Sequence, residues 1–146
     1  MNVLRIFVAV AASGALAAGC SESSAPSLAP SSLTVTGDQL AGTWTLVSMQ
    51  VATETVQAAP VGATYTITFT EGRLSTRVDC NTCGGAFAVS GQTLTAGPAL
   101  ACTRAACPTM AFENQYTGIL AGDSAIALSN NRLVLSSTRG TLTYRK

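Results

Sequence analysis

The sequence predicts an α+β fold that is mostly antiparallel β, with about eight strands forming a partly open barrel or curved sheet and one helix at about 108–121. Two observations predict the strands. Apolar residues recur with a period of two through most of residues 42–145, and short turns containing Gly or Asn separate the runs. The third observation predicts the helix, because large apolar residues recur at helical spacing between residues 108 and 121.

The strands are predicted one by one from this alternation. In chain order, they cover about 42–51, 64–70, 73–78, 86–89, 93–95, 124–129, 132–136 and 141–145. The Asn130-Asn131 pair suits a two-residue turn because Asn tolerates positive φ. Pro108 is placed to open the helix and Gly122 to end it as a left-handed cap.

The N-terminus is typical of a secretory signal. Arg5 is the only charge before Cys20, and the apolar run between them is too short to span a bilayer as a helix. Residues 16–20 read Leu-Ala-Ala-Gly-Cys and resemble a bacterial lipobox, although Ala17 stands where that motif usually has leucine. We therefore expect a lipoprotein signal peptide at 1–19 and acylation of Cys20. Ordinary secretion, with an exposed Cys20 thiol, is the alternative.

Three segments follow from this interpretation. After the signal peptide, residues 20–37 are rich in Ser, Ala and Pro and are expected to form a flexible tether. Residues 38–146 form the predicted domain. Ser21 after the cysteine resembles the default signal for the outer membrane in Gram-negative lipoproteins. The expected location is the cell envelope, with the lipid anchor at Cys20 holding the protein to the periplasmic face of the outer membrane.

Composition excludes some functions. Removing the leader removes Arg5 and leaves seven basic and seven acidic residues, so nothing favours nucleic acid as a partner. The sequence has no histidine, the commonest general base and metal ligand. Without such a base, the many Ser and Thr hydroxyls lack an activating group. We therefore expect no enzyme activity, no catalytic residue, no cofactor and no metal.

Four further cysteines lie within one short stretch: Cys80, Cys83, Cys102 and Cys107. They could bind zinc, form a redox-active pair, or form two structural disulfides. The unequal spacings argue against zinc, and an exported compartment favours disulfides. Four cysteines allow three connectivities, and spacing alone does not choose among them. The nested pairs, Cys80–Cys107 and Cys83–Cys102, would connect the end of a strand to the start of a facing helix by two disulfides. We favour that pairing.

Several short motifs now fit together. The sequence reads Gly-Thr-Trp-Thr-Leu at 42–46, Cys-Asn-Thr-Cys-Gly-Gly at 80–85 and Thr-Arg-Ala-Ala-Cys-Pro at 103–108. Over about residues 38–146 this resembles the META domain family, the HslJ-like bacterial envelope proteins. Two positions depart from the family string: Asp79 replaces a glycine and Ala105 replaces a methionine.

The resemblance implies a small, partly open β-barrel with a helix and a link to envelope stress, and it implies no catalytic activity. It also implies that Cys80 and Cys107 are the recurrent cysteines of the family, with Cys83 and Cys102 an additional pair. This supports the nested pairing.

Two residues are candidates for binding. Arg104 could clamp a carboxylate bidentately, although hydrogen bonds to loop carbonyls are the more ordinary role for it. Trp44, in the Gly-x-Trp at 42–44, resembles the tryptophan in the first strand of lipocalins, where it closes one end of a ligand-holding barrel. As an ordinary core aromatic, Trp44 would need no ligand.

The function that we predict is a lipid-anchored, non-enzymatic envelope protein that binds an unknown envelope protein partner or supports the envelope under stress. A lipocalin-like carrier of a small apolar ligand is the alternative.

Overall fold

Eight antiparallel strands close into a barrel in the structure, a computed structural model that describes residues 34–146. These residues form two helices, α1 (Gly37–Leu40) and α2 (Met110–Leu120). Their strands are β1 (Gly42–Val51), β2 (Gln57–Ala58), β3 (Tyr65–Thr70), β4 (Arg73–Val78), β5 (Asn81–Ser90), β6 (Thr93–Ala96), β7 (Ala101–Cys102), β8 (Gly122–Ser129), β9 (Arg132–Ser137) and β10 (Gly140–Arg145). The predicted fold class is confirmed.

The ring of strands closes because the first long strand pairs with the last. Going round the barrel, the order is β1, β3, β4, β5, β6, β8, β9 and β10, and β10 pairs with β1 to complete the ring. The two short strands lie outside this ring, β2 against β1 and β7 against β5. The sequence left open whether the sheet closes, and the structure shows that it does.

A bulge in β1 lets one strand serve several partners. The register with β10 shifts between Leu46 and Ser48, where Val47 is the extra residue. Before the bulge β1 pairs with β3, and after it β1 pairs with β2. A bulge of this kind bends a strand and helps a sheet to curl into a barrel.

Side chains from the strands and from α2 fill the interior. The largest fully buried side chains include Trp44, Tyr65, Tyr116, Tyr144 and Phe69. Helix α2 contributes Tyr116, whose hydroxyl lies 2.7 Å from Thr76 Oγ1 and accepts a 3.0 Å hydrogen bond from Tyr144. The helix therefore closes one end of the barrel, and the Tyr116 hydroxyl that it buries there is satisfied.

The domain begins earlier than the sequence analysis placed it. Val35 is buried in the core, and its N–H donates to the carbonyl of Gly91 at 3.0 Å. The short helix α1 follows at once. The last residues of the predicted tether at 20–37 therefore belong to the folded domain. The alternation of Leu33 and Val35 is too short, beside a Ser- and Pro-rich stretch, to predict an element.

Three further differences are local. The helix begins at Met110 rather than at Pro108, β5 begins at Asn81 rather than near 86, and β2 and β7 were not predicted. Two-residue strands have no periodicity to detect. The predicted signal peptide at 1–19 and the predicted acylation site Cys20 lie outside the described residues. Within residues 34–146, neither helix has the length and apolar character needed to cross a membrane.

Candidate functional site

Two cysteine pairs connect β5 and the turn before it to the segment that precedes α2. Cys83 and Cys102 are register partners on β5 and β7, with Cα atoms 4.0 Å apart. Cys80 and Cys107 have Cα atoms 6.1 Å apart and join the turn after β4 to the start of the α2 region. These are the two nested pairs named from the sequence. They fix a loop that has little regular structure of its own.

Asn81 lies under this stitched loop and holds it in place. It is 1% exposed. Its Nδ2 donates to Ala105 O and to Glu113 Oε2, both at 3.0 Å. Its Oδ1 accepts from the Ala105 N–H at 2.8 Å and from Thr103 Oγ1 at 2.9 Å. One amide side chain thus joins β5, the loop and α2. We call Asn81, Glu113, Thr103, Asp79, Thr109 and Tyr65 the Asn81 cluster.

The second half of the Asn81 cluster lies at the end of β4. Asp79 has a φ of 60°, in the left-handed region, and its Oδ2 accepts a 2.6 Å hydrogen bond from Thr109 Oγ1. The Tyr65 hydroxyl is buried and has no hydrogen bond of good geometry within residues 34–146. Burial raises the pKa of Tyr65, the side chain of Thr109 opposes this, and the charges of Asp79 and Glu113 add to it.

The Asn81 cluster connects the loop to β5 and α2. Within the described residues, no group of three or more Asp, Glu, Cys or His side chains could hold a metal ion. Asn81 bonds to Glu113 and to the backbone of Ala105, which fixes the loop and the first turn of α2. Asn81 lies in the family string at 80–85, but its role in holding the loop was not predicted from the sequence. The signal lay in its position directly after a cysteine that anchors a loop.

Arg104 is exposed on the loop between β7 and α2. Within residues 34–146 its guanidinium makes no hydrogen bond, so it does not serve the loop carbonyls.

Trp44 lies in the core at the opposite end of the barrel from α2. It is 1% exposed, and its Nε1 donates to Leu40 O at 2.7 Å. Lys146 covers one face, with its Nζ 4.4 Å from the ring centroid, and the same Nζ donates to Ala41 O at 2.7 Å. Trp44 therefore closes this end of the barrel together with α1, and both its N–H and one face of its ring are already occupied.

An open groove of about 730 Å³ runs beside Trp44 and α1. Its floor is an edge-to-face pair of Phe69 and Phe87, with ring centroids 5.0 Å apart. Its rim carries the exposed carboxylates of Asp38 and Glu71. We call this surface the groove. The sequence did not predict it, because its walls come from α1, the start of β1, the β3–β4 turn and β5, which only barrel closure brings together.

The groove stays open partly because three of its wall residues, Gly37, Gly42 and Gly72, have no side chain. Gly42 has a φ of +102° and Gly72 a φ of +67°, conformations that glycine adopts without strain. A Cβ at Gly72 would meet nothing within 4 Å, so no neighbouring described residue covers the rim of the groove at that point. Phe87 is only partly buried and presents an aromatic surface to the groove. An aromatic floor with a negative rim suits an apolar group that carries a positive charge.

These features define a small, disulfide-stitched β-barrel domain that is closed by one helix at one end and bears an open groove at the other. The chain belongs to the META domain family, whose family model matches residues 35–146. The resemblance found in the sequence is therefore confirmed. No curated protein matches the sequence.

Solved structures show the same fold. A protein from Burkholderia xenovorans, solved by NMR, is 25% identical with a TM-score of 0.62, and the match covers 75% of this chain and 84% of that one. A second NMR structure is 28% identical with a TM-score of 0.59, covering 76% and 94%. An uncharacterized protein from Bacteroides eggerthii DSM 20697 is 12% identical with a TM-score of 0.50 over 73% and 98%, which supports the fold alone.

Proposed function

We propose that the protein is a lipid-anchored, non-enzymatic protein of the cell envelope whose META domain binds a protein partner through the groove. The observation that carries the binding proposal is the groove itself, with Phe69 and Phe87 on its floor and Asp38 and Glu71 on its rim. The partner segment that fits it has an apolar side chain flanked by Lys or Arg.

The envelope location rests on two independent features. Residues 16–20 resemble a lipobox, and two cysteine pairs lie at disulfide distance in the domain. Disulfides persist in exported proteins and are rare in the cytosol. Acylation of Cys20 would also remove the one cysteine that the pairs leave over. Ser21 supports placement at the outer membrane, where the protein would support envelope integrity under stress.

A non-enzymatic role is supported by the chemistry of the side chains. The chain has no histidine. The groove brings together two carboxylates and two aromatic rings. Among the described residues that line it, the one hydroxyl, that of Thr70, donates to the carbonyl of Arg73 at 3.5 Å rather than to a carboxylate.

The carrier alternative applies to the same groove. The barrel interior holds Trp44, Tyr116 and Tyr144, so the lipocalin-like arrangement of a ligand in the barrel centre has no support. The volume of the groove, about 730 Å³, lies within the range of small-molecule sites. A carrier would therefore bind its ligand at the mouth of the barrel.

Anchoring is tested by growing the host with labelled palmitate. The wild-type protein should carry the label and fractionate with outer membrane, whereas Cys20→Ala should carry none and fractionate with soluble periplasm. Equal fractionation of the two proteins would contradict the anchor.

Partner binding is tested by affinity capture from detergent-extracted envelopes. The double variant Asp38→Asn with Glu71→Gln should lose the partner that the wild type retains. The matched control is Glu54→Gln, which removes an exposed carboxylate away from the groove. Native mass spectrometry of the same preparations tests the carrier, because a retained small molecule in place of a protein would favour it.

A further inference from the structure

A row of arginine and hydroxyl side chains runs round the outside of the barrel. Following the register from β9 through β10, β1, β3 and β4 to β5, each residue lies opposite the next. The row consists of Arg132, Arg145, Thr45, Thr66, Arg77 and Thr82. We call it the arginine belt. All six side chains are at least partly exposed, and each has a buried neighbour on its own strand.

Two of the arginines face each other directly. Arg132 and Arg145 are register partners at the end of the β9–β10 pairing. Like charges directly opposite on a sheet are destabilising. Within residues 34–146 neither guanidinium has an ion-pair or hydrogen-bond partner, and the belt contains no acidic residue. The pair therefore places two positive charges side by side with no direct ion-pair partner among the described residues.

The rest of the belt continues this pattern. Arg77 lies three strands from Arg145, or about 14 Å at ordinary strand spacing. Only its Nε is engaged, donating to Asp79 O at 3.1 Å. Beyond Thr82 the row reaches Thr103, whose N–H donates to Thr82 O at 3.0 Å, and the exposed Arg104 follows. Hydroxyl side chains thus fill the intervals between positive charges.

We propose that the arginine belt binds an anionic glycan, a sugar polymer that carries carboxylate or phosphate groups. Arg presents a planar fork that binds such groups bidentately. The threonine hydroxyls between the arginines can both donate to and accept from sugar hydroxyls. This surface is on the outer wall, separate from the groove.

The curvature of the belt favours a polymer over a membrane. The belt crosses six of the eight strands of a closed ring, so its two ends face different directions. A flat bilayer surface can contact only one side of such a wall. A flexible chain can follow the curve and meet Arg132, Arg145 and Arg77 together.

Fluorescently labelled oligogalacturonate, a chain of carboxylate-bearing sugars, is the probe. Its anisotropy is measured with the full-length protein in detergent at low salt. The wild type should bind, and the double variant Arg132→Gln with Arg145→Gln should bind about tenfold more weakly. Arg77→Gln should bind several-fold more weakly. The affinity should fall as salt is raised, less steeply for the variants than for the wild type.

The matched control is Arg73→Gln, which removes the same charge from the same face of β4 but off the belt. It should bind like the wild type, and equal urea midpoints will show that all variants are folded. A maltooligosaccharide of equal length tests the need for charge, and phosphatidylglycerol vesicles test the membrane. The proposal is overturned if the wild type does not bind oligogalacturonate, if Arg73→Gln weakens binding as much as the belt variants, if the neutral sugar binds equally, or if only vesicles bind. None of these outcomes depends on the groove.

Discussion

Asn81 and Glu113 meet beneath the outer disulfide, with Asn81 Nδ2 3.0 Å from Glu113 Oε2. The contact joins the first residue of β5 to the first turn of α2. Glu113 is 5% exposed, and within residues 34–146 the amide of Asn81 is the only side-chain donor to its carboxylate. A buried carboxylate is costly unless it is hydrogen-bonded. The carboxylate of Glu113 on α2 therefore depends on Asn81 of β5 for its hydrogen bond.

Replacing Asn81 with alanine should lower the free energy of unfolding by about 3 kcal/mol, because several buried groups lose their partners at once. Urea unfolding followed by the fluorescence of Trp44, the single tryptophan, measures this. Thr82→Ala, on the exposed neighbour, should cost less than about 0.5 kcal/mol.

The coupling between Asn81 and Glu113 is tested by a double-mutant cycle. Asn81→Ala and Glu113→Ala should be non-additive by at least about 1 kcal/mol, because each removes the hydrogen bond from Asn81 Nδ2 to the Glu113 carboxylate. Additive losses would show that the two side chains do not depend on each other.

The outer disulfide should contribute about 3.5 kcal/mol, since it closes a loop of 27 residues' separation in the unfolded chain. The double variant Cys80→Ala with Cys107→Ala tests this by urea unfolding. Removing Cys83 and Cys102 instead should cost less, because the outer bridge already constrains their loop. Peptide mapping under non-reducing conditions checks the pairing, and four free thiols in the denatured domain would refute it.

Stability should fall above pH 10. Burial raises the pKa of Tyr116 to about 12, although hydrogen bonds to Thr76 and Tyr144 oppose this. Burial also raises the pKa of Tyr144 well above its ordinary value. A folded pKa above the unfolded one gives a contribution that is complete below pH 10 and is lost as pH rises towards 12. For Tyr116 this contribution is about 2–3 kcal/mol.

Urea unfolding between pH 8 and pH 12 measures the loss, with Tyr116→Phe as the comparison. The variant should be less stable at pH 8 by about 1–3 kcal/mol, because Thr76 and Tyr144 lose a partner. Its stability should then fall less steeply above pH 10 than that of the wild type. Parallel curves for the two proteins would contradict the assignment.

Gly140→Ala should prevent proper closure of the barrel. Gly140 has a φ of +150°, and a Cβ there would overlap the carbonyl of Gln50 on β1 and the side chain of Ile119 on α2. We expect a loss of at least about 3 kcal/mol, because the obstacle is backbone and cannot move aside. Gly72→Ala is the control, since its φ is also positive but its Cβ would lie in open space. It should cost about 1 kcal/mol.

Local patterns predicted the hairpins well. Tyr65, Ile67 and Phe69 alternate with polar residues, and all three are buried on one face as expected. Alternation specifies which face is inward, and the turns specify which strands are neighbours. The bounds of β1 were predicted correctly for the same reason.

The long-range features could not be predicted in this way. Nothing local in residues 42–51 indicates that they pair with residues 140–145, which closes the ring. The groove depends on that closure, because α1 and the β3–β4 turn meet only at the barrel mouth. Val35 gave no usable signal, since Leu33 and Val35 make too short an alternation to indicate an element. Trp44 was singled out from sequence and proved to be a core residue beside the groove rather than part of it.

Photo-crosslinking in the native host tests the central claim, partner binding through the groove, most directly. A benzophenone amino acid replaces Phe87 on the groove floor, and in a matched protein it replaces Ala127, which is exposed on the outer face of β8. We predict one discrete protein adduct from position 87, absent from position 127 and abolished by Asp38→Asn with Glu71→Gln. An adduct pattern that is the same at both positions, or that survives the loss of both carboxylates, would contradict the claim.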